Sequence, residues 1–305
     1  MVNLLSPPLP SSQEVAPAAA IFYIFAAGFL FSCLDSSAKY LVLSGIPTAF
    51  ISWMRFVEHA ILALIFFRAW SNPRLFKVRN IPLQFLRGLC LFGSTYFNFY
   101  ALQTMQLGET ITITFAAPMV IAALAGPLLG EWAGWRRWAA IIVAFIGVLI
   151  IARPGFGAFN PGLPYSIAAM LSYSLYVLLT RRMAVTESPE SLIFFSALAP
   201  AILMSPAVMQ AVIPDTPFQI VLLLILGFFG GLGHYLIILA YRRATTAALA
   251  PYPFLQIIWM LAFGYLFFNQ FPDAYTLCGA VVIIGSGLYV VHRERQSRAA
   301  GLKGL

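Results

Sequence analysis

Apolar residues run along this chain in blocks, each long enough to cross a bilayer as a helix of about 20 residues. Ten blocks are readable, at 18–43, 47–69, 80–103, 108–129, 134–153, 162–182, 190–211, 217–241, 245–268 and 272–292. Polar punctuation separates most of them: SNPRLFKVRN, GEWAGWRR, RPGFGAFNPG, RRMAVTESPE and IPDTP all carry Pro, Gly or charge. The breaks at 44–46, 104–107 and 242–244 are very short. The first block is long for one crossing, so its helix must tilt or end early. The pattern therefore predicts an all-α integral membrane protein of ten transmembrane helices. Residues 1–17 contain SPPLPSSQ and read as a disordered tail. They lack a basic start, so no cleaved signal peptide is expected.

Composition strengthens this picture. Hydrophobic residues make up 61% of the 305, and charged residues only 9%. That excess cannot be hidden in one aqueous core. A net charge of +8 would point to nucleic acid in a soluble protein. Here its distribution gives another reading. Arg68, Arg74, Lys77, Arg79, Arg136, Arg137, Arg181, Arg182, Arg242, Arg243, Arg293, Arg295, Arg298 and Lys303 fall on one side of a ten-span chain. Arg153 stands on the other, while Lys39, Arg55 and Arg87 lie within spans. The positive-inside rule then places both termini in the cytoplasm of a bacterial-type inner membrane. The bilayer, not nucleic acid, is the partner of the basic residues. Cys33, Cys90 and Cys278 are scattered, with no disulfide framework or metal-ligand spacing.

The chain also repeats. Five spans precede RPGFGAFNPG and five follow, so an odd number per half inverts the second half relative to the first. The stretch 101–131 can be laid on 240–270 without gaps; both run from a span end through a polar turn into a Pro-containing span. Inverted repeats of this kind are a device of secondary transporters. The expected division is a first five-helix repeat at 18–153, a second at 162–292 and a basic tail at 293–305.

At these residues the chain resembles the drug/metabolite transporter superfamily in its ten-span form with two EamA-type halves. The resemblance spans about 18–292. It is carried by Ala101-Leu102, Glu109-Thr110, Phe115, Pro118, Gly130-Glu131, Arg136-Arg137-Trp138, Gly147-Val148-Leu149-Ile150 and Arg153-Pro154-Gly155. In the second half Asn269-Gln270 stands where the family often has Gly-Glu. The resemblance implies a carrier of small metabolites working by alternating access through a central cavity. Members carry amino acids, riboflavin, S-adenosylmethionine, nucleotide-sugars or amphipathic amines, so the family alone does not choose the substrate. Direction, coupling ion and the choice between monomer and homodimer also stay open, the proton being one coupling ion to consider.

Charges inside spans are costly, at roughly 2.5–3.5 kcal/mol each on insertion scales, and mark candidate sites. Asp35 and Lys39 are spaced i,i+4 with the acid first, the order that favours a helical ion pair. They make a static pair or a substrate- or proton-handling one, or else Lys39 lies in the interface and snorkels outward. Arg55 with Glu58 and His59 repeats the theme on span two, and a network across both spans is conceivable. Tyr96, Tyr100 and Gln103 share one face of span three, with Asn98 pointing elsewhere. Glu109 opens span four, as a helix N-terminal anion or an outer-gate carboxylate. His234 follows the glycines of span eight. Tyr252, Gln256 and Trp259 fall at i, i+4 and i+7 after Pro251 and Pro253. No cofactor motif is present. An integral-membrane enzyme would need a nucleophile, metal ligands or a carboxylate pair; His59, His234 and His292 are dispersed, and neither HExxH nor GxSxG occurs. A receptor or channel subunit would leave the repeat unexplained.

Overall fold

The computed structural model describes residues 17–71, 76–129, 135–152, 160–183, 186–241, 243–244, 249 and 252–302. Outside them lie most of the tail 1–17, Arg74, the Gly130-Glu131 pair, Arg153 with most of its linker, Arg242, Pro251 and Lys303. The side chains of Arg136, Arg137, Arg293, Arg295 and Arg298 are likewise not described.

Every apolar block is helical, and no strand occurs among the described residues. Spans one to three are α1 (Ala18–Leu43), α2 (Thr48–Phe66) and α3 (Ile81–Ala101). Span four divides into α4 (Leu107–Thr114) and α5 (Ala117–Leu129). Spans five to ten are α6 (Trp135–Ala152), α7 (Leu163–Met183), α8 (Pro189–Leu203), α9 (Pro217–Tyr241), α10 (Gln256–Phe268) and α11 (Ala274–Leu302). Five stretches, one each in α1, α2, α7 and α9 and one across α4 and α5, are long and apolar enough to cross a membrane. Four shorter apolar helices accompany them. The tenth span, α3, is diluted by Gln84, Arg87, Ser94, Thr95 and Asn98, which the bundle accommodates inside.

Local chemistry explains the ends. Helix α1 stops in a Schellman turn. Gly45 takes φ +86°, its N–H donates to Val42 O at 3.1 Å, and Ile46 N–H donates to Leu41 O at 3.2 Å. Asn80 caps α3 by accepting from Leu83 N–H at 3.0 Å, with Pro82 in the first turn. Ser188 does the same for α8, accepting from Ser191 N–H at 3.2 Å. Span four breaks just before Pro118, which has no N–H to continue the ladder. In span nine a 3-10 turn, Tyr252–Leu255, that includes Pro253 leads into α10. Span seven closes with a second 3-10 turn, Ser205–Gln210, around Pro206. Interrupted helices thus occur in corresponding spans, four and nine.

Large apolar side chains cover the outside as well as the core, and several charged and polar ones are buried. Ile142, Phe145, Phe267, Val281 and Ile65 point outward, whereas Lys39, Ser52, Arg55, His59, Gln84 and Arg87 are buried. An apolar exterior, with the charged side chains drawn inside a largely apolar core, is the arrangement a bilayer selects.

The halves interlock rather than stand side by side. Helix α1 runs antiparallel to α9: Tyr40 meets Phe218 at 5.4 Å between ring centroids, Phe31 meets His234 at 5.1 Å, and Ala20 and Ile24 cluster with Ala240. Helix α3 runs antiparallel to α7, from Tyr100 on Tyr165 at 4.3 Å to Arg87 on Thr180. Exchanging each span with the one five later maps α1–α9 onto α7–α3 and α2–α9 onto α8–α3, and all four packings are observed. The same exchange leaves α2–α8, α6–α11 and α4–α10 on themselves, and these pairs also pack. Because α7 opposes α3, the second five-helix repeat runs opposite to the first. The fold is two inverted five-helix repeats related by a pseudo-two-fold axis.

The largest apolar cluster lies toward the end of the bundle where α1 finishes. It joins Leu41, Ile46, Ile51, Leu102, Leu107, Ile151 and Leu163. At the opposite end the described apolar residues form only small, separate clusters.

Candidate functional site

The polar centre begins on α1. Asp35 does not pair with Lys39, although the i,i+4 spacing allows it; the two side chains take different partners on neighbouring helices. Asp35 Oδ1 accepts from Asn98 Nδ2 of α3 at 3.1 Å and is electrostatically coupled to Arg55 of α2. Asn98 thus points away from the tyrosine face of α3, as its position predicts, and that direction is toward the carboxylate. Lys39 sits one turn further along. Its Nζ donates to Leu102 O at 3.1 Å and to Met105 O at 2.5 Å, and lies 5.5 Å from the Phe268 ring centroid. The reason is geometric: Leu102 caps the end of α3 and Met105 lies in the turn that follows, where carbonyls lack helical donors, and a cation beside them supplies both bonds.

Glu109 belongs to this second cluster. It caps α4 by accepting from Gln106 N–H at 2.8 Å and acts electrostatically on Lys39. The helix-terminal role expected from its position is present, with Lys39 added to it. Gln103 does not join the tyrosines in a pocket; its Nε2 donates to Thr48 Oγ1 at 2.9 Å and ties α3 to the start of α2.

Arg55 is 3% exposed, and its Nε and Nη1 have no hydrogen-bond partner. The guanidinium lies against Gly230, whose missing side chain makes room for it. Glu58, three residues on, turns to α9 instead: its Oε2 accepts from Gly227 N–H at 2.6 Å. Helix α9 comes this close because Gly227 has no Cβ to strike the α2 backbone. His59 and His234 face each other nearly parallel, with ring centroids 6.0 Å apart, and both feel the Arg55 charge. The structure therefore brings Asp35, Arg55, Glu58 and His234 into one region, with His59 and Asn98 as additional members.

Two aromatic groups flank the centre. Tyr96, Tyr100 and Tyr165 form a ladder between α3 and α7, with centroid spacings of 6.2 and 4.3 Å. Tyr252, Gln256 and Trp259 share the face of span nine that meets α1. Tyr252 packs on the Ala20–Ile24 cluster, Gln256 meets Gly28, and Trp259 stacks near Phe25 and Phe29 at 5.0 and 4.9 Å. None of the three hydrogen-bonds Asp35 or Arg55.

Arg87, the third cation that the sequence places within a span, is 1% exposed. It donates to Gln84 Oε1 at 2.9 Å, to Thr180 Oγ1 at 3.3 Å and to Leu192 O, and its guanidinium lies over the Tyr176 ring. Fully engaged across α3, α7 and α8, it is a structural staple. No group of three or more His, Cys, Asp and Glu among the described residues is arranged to hold a metal ion.

Comparison with known proteins agrees with this architecture. A solved crystal structure, 18% identical, superposes with a TM-score of 0.63 over 92% of this chain and 99% of that one. The S-adenosylmethionine uptake transporter of Rickettsia bellii is 32% identical, the match covering 88% of this chain and 94% of the relative. The corresponding transporter of Rickettsia prowazekii is 30% identical over 89% of this chain and 94% of its own length. A riboflavin transporter of Vibrio cholerae is 21% identical over 91% and 94%. The sequence profile of the EamA-like transporter family matches residues 18–153 and again 160–291. Family membership means a multi-pass bacterial-type membrane transporter of small metabolites rather than an enzyme. With two matched segments that cover ten spans, an interlocked inverted repeat and charges held in the interior, the chain belongs to the EamA-like transporter family.

Proposed function

We propose that this protein takes up S-adenosylmethionine, or a solute of the same class, across a bacterial inner membrane by alternating access between its two repeats. The supporting observation is the match to the Rickettsia bellii uptake transporter over nearly the whole of both chains. The interior suits the assignment. S-adenosylmethionine carries an amine, a carboxylate, a sulfonium and a purine, and the bundle offers Asp35, Arg55 and aromatic faces on α3 and α10. Riboflavin, the second reading suggested by a relative, is uncharged and makes no use of the opposed charges. In this reading 18–153 and 162–292 are the moving repeats, and both termini face the cytoplasm.

The test is uptake of labelled S-adenosylmethionine into proteoliposomes, with riboflavin in parallel. Saturable accumulation of the first above protein-free vesicles is expected. Accumulation no greater than in empty vesicles sinks the proposal, and riboflavin uptake alone moves the assignment to the second reading.

A further inference from the structure

We propose that Arg55 and Asp35 together recognise an α-amino-acid head group: Arg55 takes the substrate carboxylate and Asp35 its ammonium. The inference deepens the transport reading above and rests on it for the identity of the test solute.

Four observations carry it. First, Arg55 is 3% exposed, yet Nε and Nη1 have no acceptor in the protein. A buried guanidinium normally spends its donors, as Arg87 does in the same bundle. Second, Asp35 commits Oδ1 to Asn98 and remains only part-buried although it faces the bundle interior, so its carboxylate is still reachable there. Third, Asp35 and Arg55 are electrostatically coupled but form no hydrogen bond or ion pair with each other. Opposite charges in a low-dielectric interior gain most by closing together, and holding them apart is unfavourable. Asn98 from α3 holds the carboxylate, while the guanidinium lies over the Phe56 ring, 4.7 Å from its centroid, in the room left by Gly230 of α9. Fourth, His59 Nδ1 and Glu58 Oε1 beside Arg55 are also buried without partners, so the region is built for polar contact.

A zwitterionic head group answers this arrangement. Its carboxylate matches the guanidinium fork, and its ammonium meets the carboxylate held on the other side. A simple cation would leave Arg55 unanswered, and a simple anion would be repelled by Asp35. Discrimination should be large, because a site built for a charged group rejects an analogue that leaves its own group unpaired. Arg55 and Asp35 are then specificity-determining residues.

The experiment is competition against labelled S-adenosylmethionine uptake in proteoliposomes. The competitors are S-adenosylhomocysteine, decarboxylated S-adenosylmethionine and methylthioadenosine. On the wild-type protein, S-adenosylhomocysteine should compete at least about tenfold better than the decarboxylated compound, although only the latter keeps the sulfonium charge. In Arg55→Gln the KM for S-adenosylmethionine should rise about tenfold or more, while inhibition by the decarboxylated compound stays within about twofold; Arg55→Lys should recover part of the loss. Equal competition by the two compounds on wild type, or an unchanged carboxylate preference in Arg55→Gln, overturns the inference. The wild-type ranking needs no variant to fold. If wild type moves no S-adenosylmethionine, the transport reading has failed, and thermal shifts with methionine against 3-methylthiopropylamine and tryptophan against tryptamine decide the head-group inference separately. A carboxylate-dependent stabilisation lost in Arg55→Gln supports it, and its absence in wild type overturns it.

Discussion

Lys39 is 1% exposed and holds two main-chain carbonyls at the end of α3 while facing Glu109. Lys39→Met keeps the length of the side chain but leaves both carbonyls and the carboxylate without their cation. The expected cost is about 3 kcal/mol, seen as a lower unfolding temperature in detergent. Lys39→Met combined with Glu109→Gln should regain part of that loss, because the carboxylate that Lys39 acts on is then neutral; a double variant less stable than the single one would exclude the coupling. At this scale the sequence announced which residues matter and concealed whom they meet. Asp35, Lys39, Arg55 and Glu58 stand out because charge inside an apolar block is costly. Their partners depend on how neighbouring helices are rotated about their axes, which no spacing within one helix contains. Asp35 and Lys39 therefore separate despite favourable spacing, and Asn98 is the carboxylate's partner from across the bundle. Asn269, where the family often has glycine, is explained by its backbone: φ +51° is left-handed, a conformation asparagine tolerates better than other side-chain-bearing residues.

Among the elements, α6 and α11 cross most closely at two glycines. A Cβ on Gly279 would lie 2.8 Å from the Gly147 carbonyl oxygen and also strike Ile151, and one on Gly147 would strike Ile283. Neither backbone can retreat without parting the helices. Gly279→Val should therefore lower the unfolding temperature and the yield of monodisperse protein, at a cost of about 2 kcal/mol or more, whereas Gly285→Ala, where a Cβ meets nothing within 4 Å, should be close to neutral. Equal behaviour of the two variants would refute the crossing. The elements themselves were legible, since each block of apolar residues became a helix. The interruption inside span four was less so. TITITF is locally regular, its threonines bond back to preceding carbonyls, and the break reflects Pro118 four residues after Thr114.

At the scale of the whole molecule, an even number of spans predicts both termini on one side, and the Lys and Arg distribution leads us to propose the cytoplasm for that side. Reporter fusions at either terminus should be active only if the reporter works in the cytoplasm, and a C-terminal alkaline phosphatase fusion that is active reverses the assignment. The interlocking of the repeats has a consequence for how the chain is made. Arg55 leaves the translocon with α2, yet Gly230 and His234, which surround it, are synthesised only with α9. Likewise α1 and α3 must wait for α9 and α7, their principal neighbours. The first five spans consequently pass through a stage in which buried charges lack their final setting, and membrane quality-control proteases have access to it. Expressed alone, residues 1–156 should be degraded or aggregate. Co-expressed with residues 157–305 they should be rescued into a complex that co-purifies through a tag on one fragment, because assembly needs the two sets of helices and not the continuity of the linker.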